Sequence, residues 1–126
     1  MREILFRGKR DKKFDKDQDW VYGAPYIDYE GDCIIATDCS KRVVVPETVG
    51  QYTGLTDKNG TKIFEGDIVL YVRDEEIGQI AYHESEAMFV VEFDTWLTDF
   101  DHLYGKNVEV IGNIHDNPEL LKGGAE

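Results

Sequence analysis

The chain has 126 residues, of which 41% are hydrophobic and 32% charged, and its formal net charge is −12 at pH 7. A chain of this length can bury one substantial core, and its apolar content exceeds that of a disordered chain. The acidic balance works against nucleic-acid binding, because that binding depends on Lys and Arg neutralising phosphates. Composition therefore predicts a single globular domain and disfavours nucleic acid as the partner of most of the chain.

The first sixteen residues depart from this acidic balance. They contain seven basic and three acidic residues, a net charge of +4, so the remainder carries −16. A solvated charged flank is the simpler interpretation of such a segment. In the alternative interpretation the segment binds nucleic acid, and the contacts would come from Arg7, Lys9, Arg10, Lys12 and Lys13.

The cysteines and the first residues of the chain indicate the cellular compartment of the protein. Cys33 and Cys39 are the only cysteines, and two reduced thiols are typical of a cytosolic protein. The first ten residues lack the apolar stretch of a signal peptide, and no later apolar run approaches the roughly 18 residues of a membrane span. These features predict a cytoplasmic protein without membrane contact.

In chain order, the first half reads as short strands separated by turns. Alternation over residues 3–7 predicts the first strand, and the aromatic and β-branched run from Trp20 predicts a second strand that is broken or bulged at residues 23–25. Apolar runs at residues 33–37 and 43–45 follow. We expect an N-terminal β meander over residues 1–48.

The stretch from Val45 to Val72 carries the clearest turn signals. Its Asn59-Gly60 pair predicts a hairpin with a type I′ turn, in which both residues take positive φ. A corner at residues 65–67 precedes a strand at residues 68–72, whose continuous apolar character predicts burial on both faces.

The second half continues with a hairpin, a final strand and a short helix. Residues 77–82 and 87–93 predict the hairpin, whose core face is formed by Phe89, Val91 and Phe93. Residues 94–105 read as a loop or short helix, and residues 108–111 as the last strand. Asn117 before Pro118 predicts a helix over residues 118–122, since these residues suit an N-cap and a first helical position.

These patterns predict a mainly β single domain covering residues 1–126. Residues 49–93 resemble a small SH3-like barrel, and the barrel-like core with the C-terminal helix extends over residues 49–121. An α+β arrangement is the alternative.

The chemistry-bearing residues do not form a recognisable catalytic or metal-binding pattern. A thiol nucleophile from Cys33 or Cys39 would need a histidine base brought close by folding. A divalent-ion site is the other candidate, but the spacing fits neither a calcium loop nor a zinc motif; its members would be Asp94, Asp99, Asp101, His102, His115 and Asp116. We expect no enzymatic activity, no metal and no cofactor.

Aromatic side chains could form either a stacking platform for single strands or a protein-binding patch, and the candidates are Trp20, Tyr22, Tyr26, Tyr29, Tyr52, Tyr71, Tyr82 and Trp96. A stacking platform for single-stranded nucleic acid would need a basic groove, whereas this chain is acidic, so a core or a protein interface is favoured. The candidate partner-binding residues are Trp96, Phe100 and Tyr104, which stand among aspartates in the segment after residue 93.

Several blocks of the sequence, in the same order, resemble the YopX-like family of phage and prophage proteins. The matching blocks are Met1-Arg2-Glu3-Ile4, Phe6-Arg7-Gly8, Trp20-Val21-Tyr22-Gly23, Val45-Pro46-Glu47-Thr48-Val49-Gly50-Gln51-Tyr52-Thr53-Gly54-Leu55, Asp57-Lys58-Asn59-Gly60, Ile63-Phe64-Glu65-Gly66-Asp67-Ile68-Val69 and Val110-Ile111-Gly112-Asn113-Ile114-His115-Asp116-Asn117-Pro118-Glu119-Leu120-Leu121. The chain departs at residues 17–19, where relatives often have a glycine turn. The resemblance implies a small, mainly β cytoplasmic protein of a bacterial host cell, in a family largely of unknown function, and it supplies no catalytic residues.

Two functions of different classes follow. The first is a non-enzymatic phage accessory protein that binds a host or phage protein, with the acidic surface either aiding solubility or imitating nucleic acid. The second is a nucleic-acid-binding module that uses the basic N-terminal segment. Self-association fits either function, because the chain has more aromatic residues than one small barrel can bury.

Overall fold

A computed structural model describes residues 4–13, 19–37, 39–73, 75–93, 97–99 and 107–123. The chain divides into two compact units, Met1–Tyr52 and Thr53–Glu126. Both units consist mainly of antiparallel strands, and the described residues include a three-residue 3-10 helix and a five-residue α-helix. The fold is therefore mainly β, as the sequence predicts, rather than α+β.

The first unit is a β meander with one strand added at its edge. Its strands lie in the order β4-β3-β2-β1-β5, and every adjacent pair is antiparallel. The strands are β1 (Phe6–Lys9), β2 (Trp20–Ile27), β3 (Cys33–Ala36), β4 (Lys41–Val43) and the first residues of β5 (Gly50–Thr56), with the 3-10 helix at Pro46–Thr48.

One face of this meander forms a small apolar core. Val21, Cys33, Ile35 and Val44 are buried together, and Val49 packs against them. Cys33 is therefore a core residue, as its apolar surroundings in the sequence indicate.

The predicted break at residues 23–25 is wrong, because β2 continues through them and pairs with β3. Gly23 is needed for a different reason. A Cβ at this position would lie 2.1 Å from the carbonyl oxygen of Ala36, so the glycine permits close approach of two backbones rather than a bulge.

The second unit contains a five-stranded antiparallel sheet in the order β10-β9-β8-β7-β11, while β6 pairs with β5. Its elements are β6 (Lys62–Phe64), β7 (Asp67–Tyr71), β8 (Glu76–His83), β9 (Met88–Glu92), β10 (Leu97–Asp99), β11 (Val108–Asn113) and α1 (Glu119–Gly123). The buried core consists of Ile63, Val69, Ile80, Val91, Phe93 and Val108.

The sequence predicts much of this second unit. Val91 and Phe93 are core residues and Phe89 packs against them, which confirms the predicted core face of β9. The loop predicted after residue 93 contains a short strand, β10, which pairs with β9. No closed barrel is found among the strands that the structure describes, so the SH3-like detail stays a prediction.

The hairpin at residues 57–60 forms, but its turn differs from the predicted type I′. Gly60 has a φ of 84°, whereas Asn59 is not among the described non-glycine residues with positive φ. The turn is held instead by the Asp57 carboxylate, whose Oδ1 accepts from the backbone N–H groups of Asn59 (2.8 Å) and Thr61 (2.9 Å). An aspartate that bonds its own turn offers the backbone an alternative to the primed turn.

The C-terminal helix begins one residue after the predicted position. The Asn117 carbonyl accepts from Leu120, while the Asn117 side chain accepts from the backbone N–H of Asn113 (3.3 Å) rather than from the helix. Within the described ranges, no helix has the length and apolar character needed to cross a membrane.

Candidate functional site

The face of the first unit opposite its core carries a row of aromatic side chains. Successive side chains of a strand point to opposite faces, so Trp20, Tyr22, Ala24 and Tyr26 share the face that Val21 does not. We call these four residues the β2 face. In the strand register Lys9 lies opposite Trp20, so β1 contributes Lys9 to the same face.

Two tyrosines of the β2 face are exposed. Tyr22 is 46% and Tyr26 40% exposed, and Tyr29 in the following turn is 97% exposed, whereas Ile27, which is 64% exposed, lies on the opposite face of the strand. Single apolar residues at a surface are common, but a contiguous group of large ones marks interaction sites. Tyrosine suits such a surface, because its ring buries apolar area and its hydroxyl forms hydrogen bonds.

Arg7 supports the β2 face from the neighbouring strand. It lies opposite Tyr22 in the register, and its Cζ atom is 4.6 Å from the centroid of the Trp20 ring. This distance is within the range of a cation–π contact. Arg7 is only 7% exposed, so its guanidinium orders the aromatic ring instead of reaching towards solvent.

An acidic turn flanks the other end of the β2 face. The Asp28 carboxylate accepts from the backbone N–H groups of Glu30 (3.0 Å) and Asp32 (2.9 Å) through the same oxygen, Oδ1. Gly31 has a φ of 89° within this turn, a conformation that glycine adopts without strain. The turn therefore places three acidic residues, Asp28, Glu30 and Asp32, directly after the strand that carries Tyr22 and Tyr26.

The structure does not bring the five predicted nucleic-acid contacts to one exposed face. Arg7 is buried, and Lys9 and Arg10 are half-buried, whereas Lys12 and Lys13 are exposed. Alternation along β1 places Arg7 and Lys9 on one side of the sheet and Arg10 on the other.

Backbone hydrogen bonds fix the middle of this basic segment within the first unit. Arg10 donates to the Asp19 carbonyl (3.1 Å), and Asp11 donates to the Val43 carbonyl (2.9 Å). Thr48 Oγ1 accepts from Lys9 N–H (2.9 Å). Part of the basic segment therefore belongs to the end of β1 and is fixed by hydrogen bonds. The segment is not wholly the solvated flank that its charge predicts.

The predicted partner-binding residues Trp96, Phe100 and Tyr104 lie outside the described residues. Among the described residues, the exposed tyrosines are Tyr22 and Tyr26 on β2, Tyr29 in the turn after it, and Tyr82 on β8. Sequence reasoning identified Trp20, Tyr22, Tyr26 and Tyr29 as members of a large aromatic set, but no signal separated them from Tyr52, which is buried.

Reactive groups do not assemble into a site among the described residues. Burial raises the pKa of the Cys33 thiol, and a thiol in such surroundings is a poor nucleophile. Cys39 is exposed. The described part of the chain contains no group of three or more His, Cys, Asp or Glu side chains that could hold a metal ion.

Comparison with known proteins identifies the family. The family model described as YopX protein matches residues 6–122. The chain belongs to the YopX family. This YopX chain is also similar to the crystal structure of protein EF1440 from Enterococcus faecalis, with a TM-score of 0.62 and 26% sequence identity, over 96% of this chain and 99% of that one. No curated protein matches it.

Proposed function

We propose that this YopX chain is a non-enzymatic accessory protein of a phage or prophage and that it binds a partner protein through the β2 face. The observation that carries the proposal is the exposure of Tyr22 and Tyr26 on one face of β2 and of Tyr29 in the turn that follows the strand. Interface hot spots are enriched in aromatic side chains because each buries a large area at a small entropic cost.

The charge of the two units favours protein over nucleic acid. Met1–Tyr52 contains nine basic and ten acidic residues, a formal charge of −1, whereas Thr53–Glu126 contains five basic and sixteen acidic residues, a charge of −11. Binding to single strands combines stacking with a basic groove along the phosphates. The β2 face has the aromatic rings, but its nearest arginine is buried beneath one of them.

The partner that best fits is a protein with an apolar patch and a basic rim. The tyrosines would meet the apolar patch, and the carboxylates of Asp28, Glu30 and Asp32 would meet lysine or arginine side chains. Complementary charges at the rim of an interface act mainly on the association rate and on the choice of partner.

Site-specific photo-crosslinking in the bacterial cell tests this proposal. A photoreactive phenylalanine analogue replaces Tyr26 in one variant and Tyr82 in a control, because the two tyrosines are 40% and 41% exposed. We expect one dominant crosslinked protein from position 26 and none of the same mass from position 82. Equal patterns from both positions would reject the β2 face as the interface.

The same experiment separates the remaining alternatives. Crosslinks from position 26 to a second copy of the chain would make the β2 face a self-association surface. The nucleic-acid alternative is favoured by one observation, the exposed pair Lys12 and Lys13. It predicts a gel shift at low salt that weakens steeply as salt rises and is lost when both lysines become alanine.

A further inference from the structure

A concave site lies within the Thr53–Glu126 unit, and none of the residues that line it belongs to the β2 face. Its volume is about 260 Å³, and it is lined by Ile77, Gln79, Glu92, Phe93 and Leu121. The strands β8 and β9 supply its floor, and α1, which packs against β8, supplies Leu121. Sites for drug-sized ligands occupy roughly 300–1,000 Å³, so this pocket suits one side chain or a small organic molecule.

The polar part of the pocket is a carboxylate held in a fixed orientation. Gln79 Nε2 donates to Glu92 Oε1 at 2.9 Å, and His83 Nε2 lies 2.8 Å from Glu92 Oε2. Gln79 and Glu92 are directly opposite in the β8–β9 register. The hydrogen bond from His83, followed by that from Gln79, lowers the pKa of Glu92, so the group is ionised at neutral pH.

The Glu92 carboxylate can accept further hydrogen bonds besides those from Gln79 and His83. Each carboxylate oxygen can accept about two hydrogen bonds, and Glu92 receives one at each oxygen from the contacts described. Because Gln79 donates through Nε2, its Oε1 atom is a further acceptor among the residues that line the pocket. An ammonium group carries three donors and no acceptor, and a guanidinium carries five. Both groups can donate to the acceptor positions that remain on Glu92 and to Gln79 Oε1.

The apolar residues that line the pocket and the net charge of the unit further restrict the chemical class of the ligand. Ile77, Phe93 and Leu121 present apolar surface beside the carboxylate. An inorganic cation would gain nothing from these walls, whereas an aliphatic chain would. An anion is opposed both by Glu92 and by the net charge of −11 on this unit.

We propose that this pocket binds an ammonium or guanidinium group carried on an aliphatic chain, with Glu92 and Gln79 holding the cation and Ile77, Phe93 and Leu121 covering the chain. A lysine or arginine side chain of another protein and a free alkylamine present the same chemistry. The inference does not depend on the β2 face, since the two sites are in different units.

An NMR titration of the full chain tests the proposal with n-butylammonium, n-butylguanidinium, butyrate and Mg²⁺ as probes. We expect the two organic cations to shift the Gln79 side-chain amide and the backbone amides of residues 77–79 and 91–93, and neither butyrate nor Mg²⁺ to do so. Shortening the ammonium probe from butyl to methyl should weaken binding by up to about fourfold per CH₂ removed.

Two variants and one control assign the effect to residues. Glu92→Gln preserves the shape of the side chain but removes its charge, and should weaken n-butylammonium at least about tenfold. Leu121→Ala should flatten the dependence on chain length, and Glu84→Gln, an equal loss of charge at an exposed turn residue, should change nothing. A well-dispersed amide spectrum for each variant confirms that it is folded.

Equal affinity of the wild type and the Glu92→Gln variant, equal binding of butyrate, or no dependence on chain length would overturn the proposal. Two further ligands identify the source of the cation. Tighter binding of an acetyl-Lys-amide peptide than of n-butylammonium would indicate a protein side chain, and the reverse order would indicate a free amine.

Discussion

Replacing Asp57 by asparagine should destabilise the second unit through a single long-range hydrogen bond. Asp57 is 5% exposed, and its Oδ2 atom accepts from the backbone N–H of Val110 on β11 at 3.0 Å, while Oδ1 serves the turn. Asparagine can keep the turn bonds through its one oxygen. Its NH₂ group then faces the Val110 N–H, so a charge-assisted bond is replaced by two opposed donors.

The expected cost is about 2–3 kcal/mol, since hydrogen bonds to charged groups contribute about 1.5–3 kcal/mol and the Val110 donor loses its partner. For a domain of this size each kcal/mol lowers the melting temperature by roughly 4 °C. The fall should therefore be about 8–12 °C in thermal unfolding followed by circular dichroism. Hydrogen exchange of the Val110 amide should accelerate more than that of its neighbours.

Asp28→Asn is the matched control for Asp57→Asn. The Asp28 carboxylate caps the same kind of turn, and both of its bonds from the turn reach Oδ1. Asparagine can keep both, so the expected cost is under about 1 kcal/mol. If Asp57→Asn lowers the melting temperature no more than Asp28→Asn does, the bond to β11 contributes nothing and the reasoning is wrong.

Two further perturbations test the packing and the charges. Gly23→Ala should lower the free energy of unfolding by more than about 2 kcal/mol in urea, because its Cβ would lie 2.1 Å from the Ala36 carbonyl oxygen. Gly60→Ala is the control and should cost about 1 kcal/mol, since that glycine has open space around it but a φ of 84°. Equal costs would contradict the close approach of the two backbones at Gly23. The His83–Glu92 pair predicts a pH window. The hydrogen bond to Glu92 raises the pKa of His83 above 6.5, so its stabilisation is complete below pH 6.5 and is lost as pH rises through the raised value. The lowered pKa of Glu92 makes its stabilisation complete above pH 4.5 and lost as pH falls through the lowered value. The melting temperature of the wild type should therefore exceed that of His83→Gln most between pH 4.5 and 6.5, and a difference independent of pH would refute the ion pair.

The sequence predicts most strands of this fold because their apolar periodicity and turn residues are local signals. The β8–β9 hairpin and the strand after Gly66 follow directly from such patterns. The turn after Asp57 is mispredicted, because Asn59-Gly60 favours a type I′ turn while the aspartate two residues earlier bonds the backbone and changes its conformation. The hydrogen bonds of the Asp57 side chain therefore outweigh the turn preference of Asn59-Gly60.

The candidate surface was harder to predict, because exposure is a property of packing. Tyr22 and Tyr52 have the same chemistry, yet one is 46% and the other 7% exposed. Arg7 illustrates the same limit, since a basic residue in a lysine-rich segment is expected in solvent but lies beneath Trp20. These outcomes depend on strand register across the sheet, which no stretch of sequence contains by itself.

The affinity of the photo-crosslinked partner for purified variants tests the central claim most directly. The double variant Tyr22→Ser, Tyr26→Ser should bind at least about tenfold more weakly than the wild type, because buried interface tyrosines commonly contribute more than 1 kcal/mol each. Tyr82→Ser, which removes a tyrosine of equal exposure in the other unit, should bind like the wild type. Unchanged binding by the double variant, with its fold intact by circular dichroism, would show that the β2 face is not the interface.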